Sequence, residues 1–193
     1  KAMKVNLRKA HAIQNQIRDE INRLDLSTSV VLNEFENTTE QIETSRSDFQ
    51  GALKTFTRLA DVLVDIRKKV ARANADEGIS DLLADVAIYD SQIKQYRDLA
   101  EAKPQQNVEV LEGRLEKRRN SQEDSIYRSF GNDISTGIFS QEEIDRFRRD
   151  LADLKRNRQE IQDRILELNI ETTIELDEDA EKLLSRLGII SEF

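Results

Sequence analysis

His11 is the only histidine in a chain without cysteine, and those two facts close most routes to catalysis. A general base needs an orienting partner, and the sequence identifies none for His11, which lies beside the Leu7–Ile17 stripe and reads as a partly packed helix residue. The missing thiols remove disulfides, thiolate zinc sites and cysteine nucleophiles together. Carboxylates cluster at Asp76-Glu77 and at Asp177-Glu178-Asp179, but without the spaced ligands and central glycine of a calcium loop. Both clusters fall at helix ends, where acidic residues favour the positive N-terminus. No glycine-rich phosphate loop, nucleophile elbow or zinc-protease helix occurs. A two-carboxylate hydrolase is the distant alternative. The chain is therefore expected to be no enzyme and to need no cofactor or metal.

The arginines offer a different chemistry. Between Arg114 and Arg158 eleven basic residues face nine acidic ones, whereas from Gln159 to Phe193 three basic residues face ten acidic ones. Guanidinium groups suit bidentate binding of phosphate or carboxylate. Lys117, Arg118 and Arg119, followed by Tyr127 and Arg128, could line an anionic pocket with a stacking ring, with Arg158 as a further member. The plainer reading is a solvated helix face with pairs at four-residue spacing, such as Asp145 with Arg149. A net charge of -8 works against duplex nucleic acid as the partner.

Helices must position these residues. Of 193 residues 37% are apolar and 35% charged, enough for long seams between helices but not for a thick core. Disorder is set aside because the apolar residues recur at a regular period. One proline and six glycines force few breaks. No run approaches the ~20 apolar residues of a membrane span, and no signal sequence opens the chain. Lys1-Ala2 and Glu192-Phe193 read as residues left over from expression.

Leu7, Ala10, Ile13, Ile17, Ile21 and Leu24 predict a first helix from about Asn6, its N-cap, to Leu24. The β-branched stretch from Ser27 to Leu32 predicts a short strand or an ordered loop. A second helix is expected to start between Thr44 and Asp48 and to end near Asn74. Its stripe is Phe49, Phe56, Leu63 and Val70, with Leu53 and Ala60 between. Asp76-Glu77-Gly78 marks a turn and Ser80 a cap. Leu82, Val86, Tyr89, Ile93, Tyr96 and Ala100 then line a third helix, closed by Pro104 and antiparallel to the second. Residues 105–139 read as an irregular insertion, with a short helix from Val108 to Arg119 and a β-hairpin around Gly131-Asn132 and Gly137.

Ser140-Gln141-Glu142-Glu143 is a capping box. The helix it opens carries Ile144, Phe147, Leu151, Leu154, Arg158, Ile161, Ile165 and Leu168 in strict heptads, the pattern of a supercoiled pair. Arg158 is the one seam residue that is not apolar. Ile170 to Leu176 reads as extended, and Asp177 as the cap of a last helix stopped by Gly188. The β-prone pieces 27–35, 126–139 and 170–176 are expected to meet as a small sheet.

Several runs resemble a group of small bacterial helical proteins labelled septicolysin. They are Met3-Lys4-Val5-Asn6-Leu7, the Leu63–Asn74 run, Tyr96-Arg97-Asp98-Leu99-Ala100 and Ile165 to Thr173. They cover about half the chain, and Val108 to Phe139 departs from that group's layout. The resemblance implies a helical fold and carries over no catalytic residue.

The expectation is a mainly α protein: an elongated antiparallel helical bundle or coiled-coil hairpin, one domain over 1–193, with a small β element at one end. The expected function is a cytoplasmic, non-catalytic interaction or assembly protein, homo-oligomeric through its heptad seams, with no membrane and no duplex nucleic acid as partner. The alternative is a protein that sequesters a small anionic, nucleotide-like ligand among the arginines.

Overall fold

Asn6 shows how the fold begins. Its carboxamide oxygen accepts the backbone N–H of Lys9 at 2.8 Å, capping a helix from Leu7 to Arg23 (α1), while the residues before it, Met3–Asn6, form a strand (β1). A computed structural model describes residues 2–121 and 133–191. The remaining elements are helices Thr38–Asp76 (α2), Ile79–Ala100 (α3), Val108–Ser121 (α4) and Gln141–Glu171 (α5), strand Thr173–Leu176 (β2) and helix Glu178–Arg186 (α6). The protein is mainly α with a small antiparallel sheet. Contacts divide it into two compact units, 1–82 with 164–193, and 83–163.

In the first unit β1 pairs with β2 in the register Met3↔Leu176, Lys4↔Glu175, Val5↔Ile174 and Asn6↔Thr173. Alternation puts Val5, Ile174 and Leu176 inward, while Lys4 and Glu175 face water and meet at 3.4 Å. Among the described residues of the three pieces expected to form a sheet, 27–35, 126–139 and 170–176, the strand is 173–176, and its partner is the four-residue N-terminal run. Residues 27–35 form no strand, and 122–132 lie outside the described residues. Continuing from the sheet, the N–H of Leu7 donates to the carbonyl of Thr172 at 3.0 Å.

The core beside this sheet comes from helix stripes. Leu7, Ala10, Ile13 and Ile17 of α1 and Leu59, Leu63, Ile66 and Val70 of α2 are buried, and these two helices pack together. α2 begins well before the expected Thr44–Asp48, because Asn37 caps it: its side chain accepts from Thr39 N at 3.0 Å and Glu40 N at 3.2 Å. That cap outweighs the weak helix preference of Thr38-Thr39. Gly78 takes φ +73° in the turn that follows, and α3 starts at Ile79, one residue ahead of the expected Ser80 cap.

α6 ends in a Schellman motif: Gly188, at φ +70°, donates to Ser185 O and Ile189 donates to Leu184 O, both at 2.9 Å. Asp177, read from sequence as a capping side chain, makes no cap hydrogen bond. Its carboxylate instead accepts from Lys69 Nζ of α2 at 2.8 Å, and Lys69 also reaches Asp65 at 2.7 Å. Partial burial lowers the Lys69 pKa, but hydrogen bonds and attraction from Asp177 and Asp65 outweigh it and raise it above its ordinary 10.5. A raised lysine pKa means the contribution is complete below 10.5 and lost as pH climbs through the folded value. Lys69→Met should therefore cost about 1 kcal/mol at neutral pH. The urea midpoints of variant and parent should converge in strongly alkaline buffer; a gap that stays constant with pH would contradict this.

Gln14 sits on the core face of α1 at 6% exposure, and its Nε2 has no hydrogen-bond partner among the described residues. An unpaired buried amide costs about 1–3 kcal/mol. Gln14→Leu should accordingly raise the unfolding free energy by about 1 kcal/mol, read by urea titration, and a loss of stability would show that the amide is needed.

In the second unit, α3 and α5 run antiparallel along residues 83–100 and 141–163. Tyr96 meets Phe147 edge-on at 6.2 Å, Arg148 Nε donates to Ala100 O at 3.2 Å, and Arg158 Nε donates to Asp90 at 2.5 Å. The capping box forms as expected, with Ser140 N donating to Glu143 Oε2 at 2.8 Å and Glu143 N to Ser140 Oγ at 3.2 Å. Hydrogen bonds from the Ser140 backbone N–H and hydroxyl hold the Glu143 carboxyl below its ordinary 4.5.

The segment expected to carry a β-hairpin has, in its described part, one parallel bridge between Pro104 and Phe139. Gln105 N donates to Phe139 O at 2.8 Å, and Gln106 N to Thr136 Oγ1 at 2.8 Å. Gly137 is obligatory there, since a Cβ would lie 1.8 Å from the carbonyl oxygen of Lys103. Phe139 then stacks edge-on against Phe147 at 5.1 Å.

Candidate interaction surface

The loop from Asp25 to Asn37 is held by three short polar side chains. Asp25 Oδ1 accepts from Ser27 N at 2.9 Å, and hydrogen bonds from Ser27 keep its carboxyl below the ordinary 3.8. Asn33 Oδ1 accepts from Phe35 N at 3.0 Å. Asn33 and Gln41 then join loop to helix reciprocally, with Asn33 N donating to Gln41 Oε1 at 3.0 Å and Gln41 Nε2 to Asn33 O at 3.1 Å. Asn37 supplies the cap described above. Such side-chain mimics of backbone turns give an irregular loop a fixed path.

That fixed path displays apolar side chains to water. Val31 is 94% and Phe35 87% exposed, and Val30 and Leu32 are exposed as well. Beside them α2 continues its stripe beyond the end of α1. Its C-terminal half is buried through Leu59, Leu63, Ile66 and Val70, whereas Ile42, Leu53 and Phe56 of the N-terminal half are exposed and Phe49 is half-buried. Between loop and helix runs a groove of about 310 Å³ with Val30 on one wall and Ile42, Ser45 and Phe49 on the other. The sequence carried a signal for this surface: the seven-residue repeat through Phe49 extends back to Ile42. It was missed because the helix start was placed too late.

The other heptad seam is largely occupied from within the chain. Ile144 is buried, and Phe147, Leu151, Leu154, Arg158 and Ile161 are half-buried, with Phe147 on Tyr96 and Arg158 on Asp90. Ile165 and Leu168 are buried in the first unit. Phe147 and Arg158 of that seam thus have neighbours in their own chain, Arg158 being paired with Asp90.

Of the residues assigned to an anionic pocket, Lys117 and Arg119 are exposed on α4 and Arg118 is half-buried, its guanidinium 3.9 Å from Asp133. Tyr127 and Arg128 lie outside the described residues. The groove on the N-terminal half of α2 has none of these residues in its walls, and Arg158 is engaged with Asp90.

His11 is exposed on α1, and no hydrogen bond or ion pair to it occurs among the described residues. Among those residues no group of histidine and carboxylate side chains could hold a metal ion, and no helix is long and apolar enough to cross a membrane. Compared with known proteins, the chain matches no family model, no curated protein and no solved structure.

Proposed function

We propose that this chain is a non-catalytic helical assembly protein that associates with further copies of itself through a helix stripe it does not cover alone. The unequal halves of α2 carry the reading: one continuous apolar stripe is buried at Leu59, Leu63, Ile66 and Val70 and is exposed or half-buried before them. Single exposed apolar side chains are ordinary, but a contiguous patch of several hundred Å² marks an interaction surface. The loop beside it is tied down by Asn33 and Gln41, so docking would forfeit little ordering entropy. A cysteine-free chain suits a reducing cytoplasm, where we place it. The alternative of a small anionic ligand has less behind it, because Asp90 already satisfies Arg158.

Sedimentation equilibrium from about 1 to about 100 μM tests the reading, a span that brackets ordinary self-association constants. A discrete oligomer is expected, and a monomer at every concentration would remove the proposal.

A further inference from the structure

We infer that the occupant of the bare stripe is a second copy of the chain whose α2 lies antiparallel over residues 45–56, each Phe56 entering the groove between Val30 and Ser45 of the other. This rests on the self-assembly reading and adds the surface, the orientation and the anchoring side chain.

Side-chain size points to the orientation. Along the stripe Ile42, Phe49 and Phe56 recur every seven residues, and the seam positions three further on are Ser45 and Ala52. In an antiparallel helix pair, each residue of the first set packs beside one of the second set from the other helix. Phe49 then faces Ala52 of the second copy and Phe56 faces its Ser45, large against small in both layers, while Ile42, which would meet the buried Leu59, lies beyond the overlap of the two helices. A parallel pair would stack Phe49 on Phe49 and Ala52 on Ala52, giving layers too thick and too thin by turns.

The groove gives Phe56 somewhere to go. Its walls set Val30, Ile42 and Phe49 among hydroxyl side chains, Ser45 included, and Arg46. Phe56 is itself 36% exposed and lies 11 residues along α2 from Ser45, about 16 Å at 1.5 Å per residue. A two-fold axis midway between them therefore matches both knobs to both grooves at once, the self-complementary arrangement of a closed dimer.

Charge favours the same orientation. Glu34, Glu36, Glu40 and Glu43, with Arg46 among them, make one end of the surface net acidic, and Lys54 and Arg58, beside Asp61, make the other net basic. None of the eight enters an ion pair with a described residue. Antiparallel overlay sets the acidic end of each copy beside the basic end of the other and opposes the helix dipoles, whereas parallel overlay sets like charge beside like. Area is sufficient too. With roughly 150–250 Å² per phenyl ring and somewhat less per aliphatic chain, the exposed parts of Val30, Val31, Leu32, Phe35, Ile42, Leu53 and Phe56 approach the ~800 Å² that a stable interface takes from each partner.

The test uses the full chain. Sedimentation equilibrium compares the parent with Phe56→Asp, Phe56→Ala and, as a control on α3, Ile88→Asp, each checked for helix content by circular dichroism. The parent and Ile88→Asp should be dimers, while Phe56→Asp should raise the dissociation constant roughly 100-fold and Phe56→Ala at least roughly tenfold, as for a buried aromatic anchor. Orientation is read by cross-linking in this otherwise cysteine-free protein. A mixture of Asp48→Cys and Thr55→Cys chains should link to each other through a short reagent, and Ser45→Cys should not link to itself. A dimer indifferent to the Phe56 substitutions, or one that links through Ser45→Cys, overturns this arrangement and leaves self-assembly standing. A monomeric parent overturns both.

Discussion

Ile66→Ala should lower the unfolding free energy by about 2–5 kcal/mol, among the largest effects expected of a single truncation in the first unit. Ile66 is fully buried, on the part of α2 that packs on α1. Removing three carbons there loses their transfer free energy and leaves a space that two helices pinned by the β1–β2 ladder cannot close. Phe56→Ala on the same stripe removes more carbon, yet should cost the monomer less, about 1–2 kcal/mol, because Phe56 keeps 36% of its surface in water. The contrast between the two, measured by urea unfolding at a concentration where the chain is monomeric, tests the assignment of buried and bare halves. Equal costs would show that the bare half is covered.

Ile144→Ala should have the largest effect in the second unit, about 2–4 kcal/mol. Among the described residues between 83 and 163 the buried apolar side chains are Val86, Ile93, Ala100 and Ile144, and Ile144, at 1% exposure, is the most enclosed of these. It sits one residue past the Ser140–Glu143 capping box and near the Phe139–Phe147 ring pair. Its loss should loosen the segment 133–140 along with the first turns of α5. Amide hydrogen exchange should therefore rise at Gln105 and around Ile144 well before it rises in α1, and a uniform rise along the chain would contradict local placement of the loss.

Helix positions were legible where the signal was local and strong. The Ser140–Glu143 box, the Asn6 cap, the Gly188 stop and the long stripe of α5 each rest on residues within a few positions of one another, and all four formed. The N-terminus of α2 was misplaced because a single cap, Asn37, overrode two β-branched residues whose preference is worth only tenths of a kcal/mol. Asp177 illustrates the opposite error. The sequence offers it a cap, but Lys69, 108 positions away, competes for the same carboxylate and holds it. β1 was missed as a strand because four residues carry too little alternation to announce one.

By itself the sequence determined that this chain would be helical and where most helices would end, because caps and stripes act over a turn or two of helix. Only the tertiary structure decided which stripes are covered and which are bare. α5 brings Phe147 and Arg158 onto Tyr96 and Asp90, while α2, 39 residues long against the 17 of α1, leaves Ile42, Leu53 and Phe56 exposed. A heptad records that a helix face needs a neighbour. Which neighbour it receives depends on the lengths and placement of elements far away in the chain.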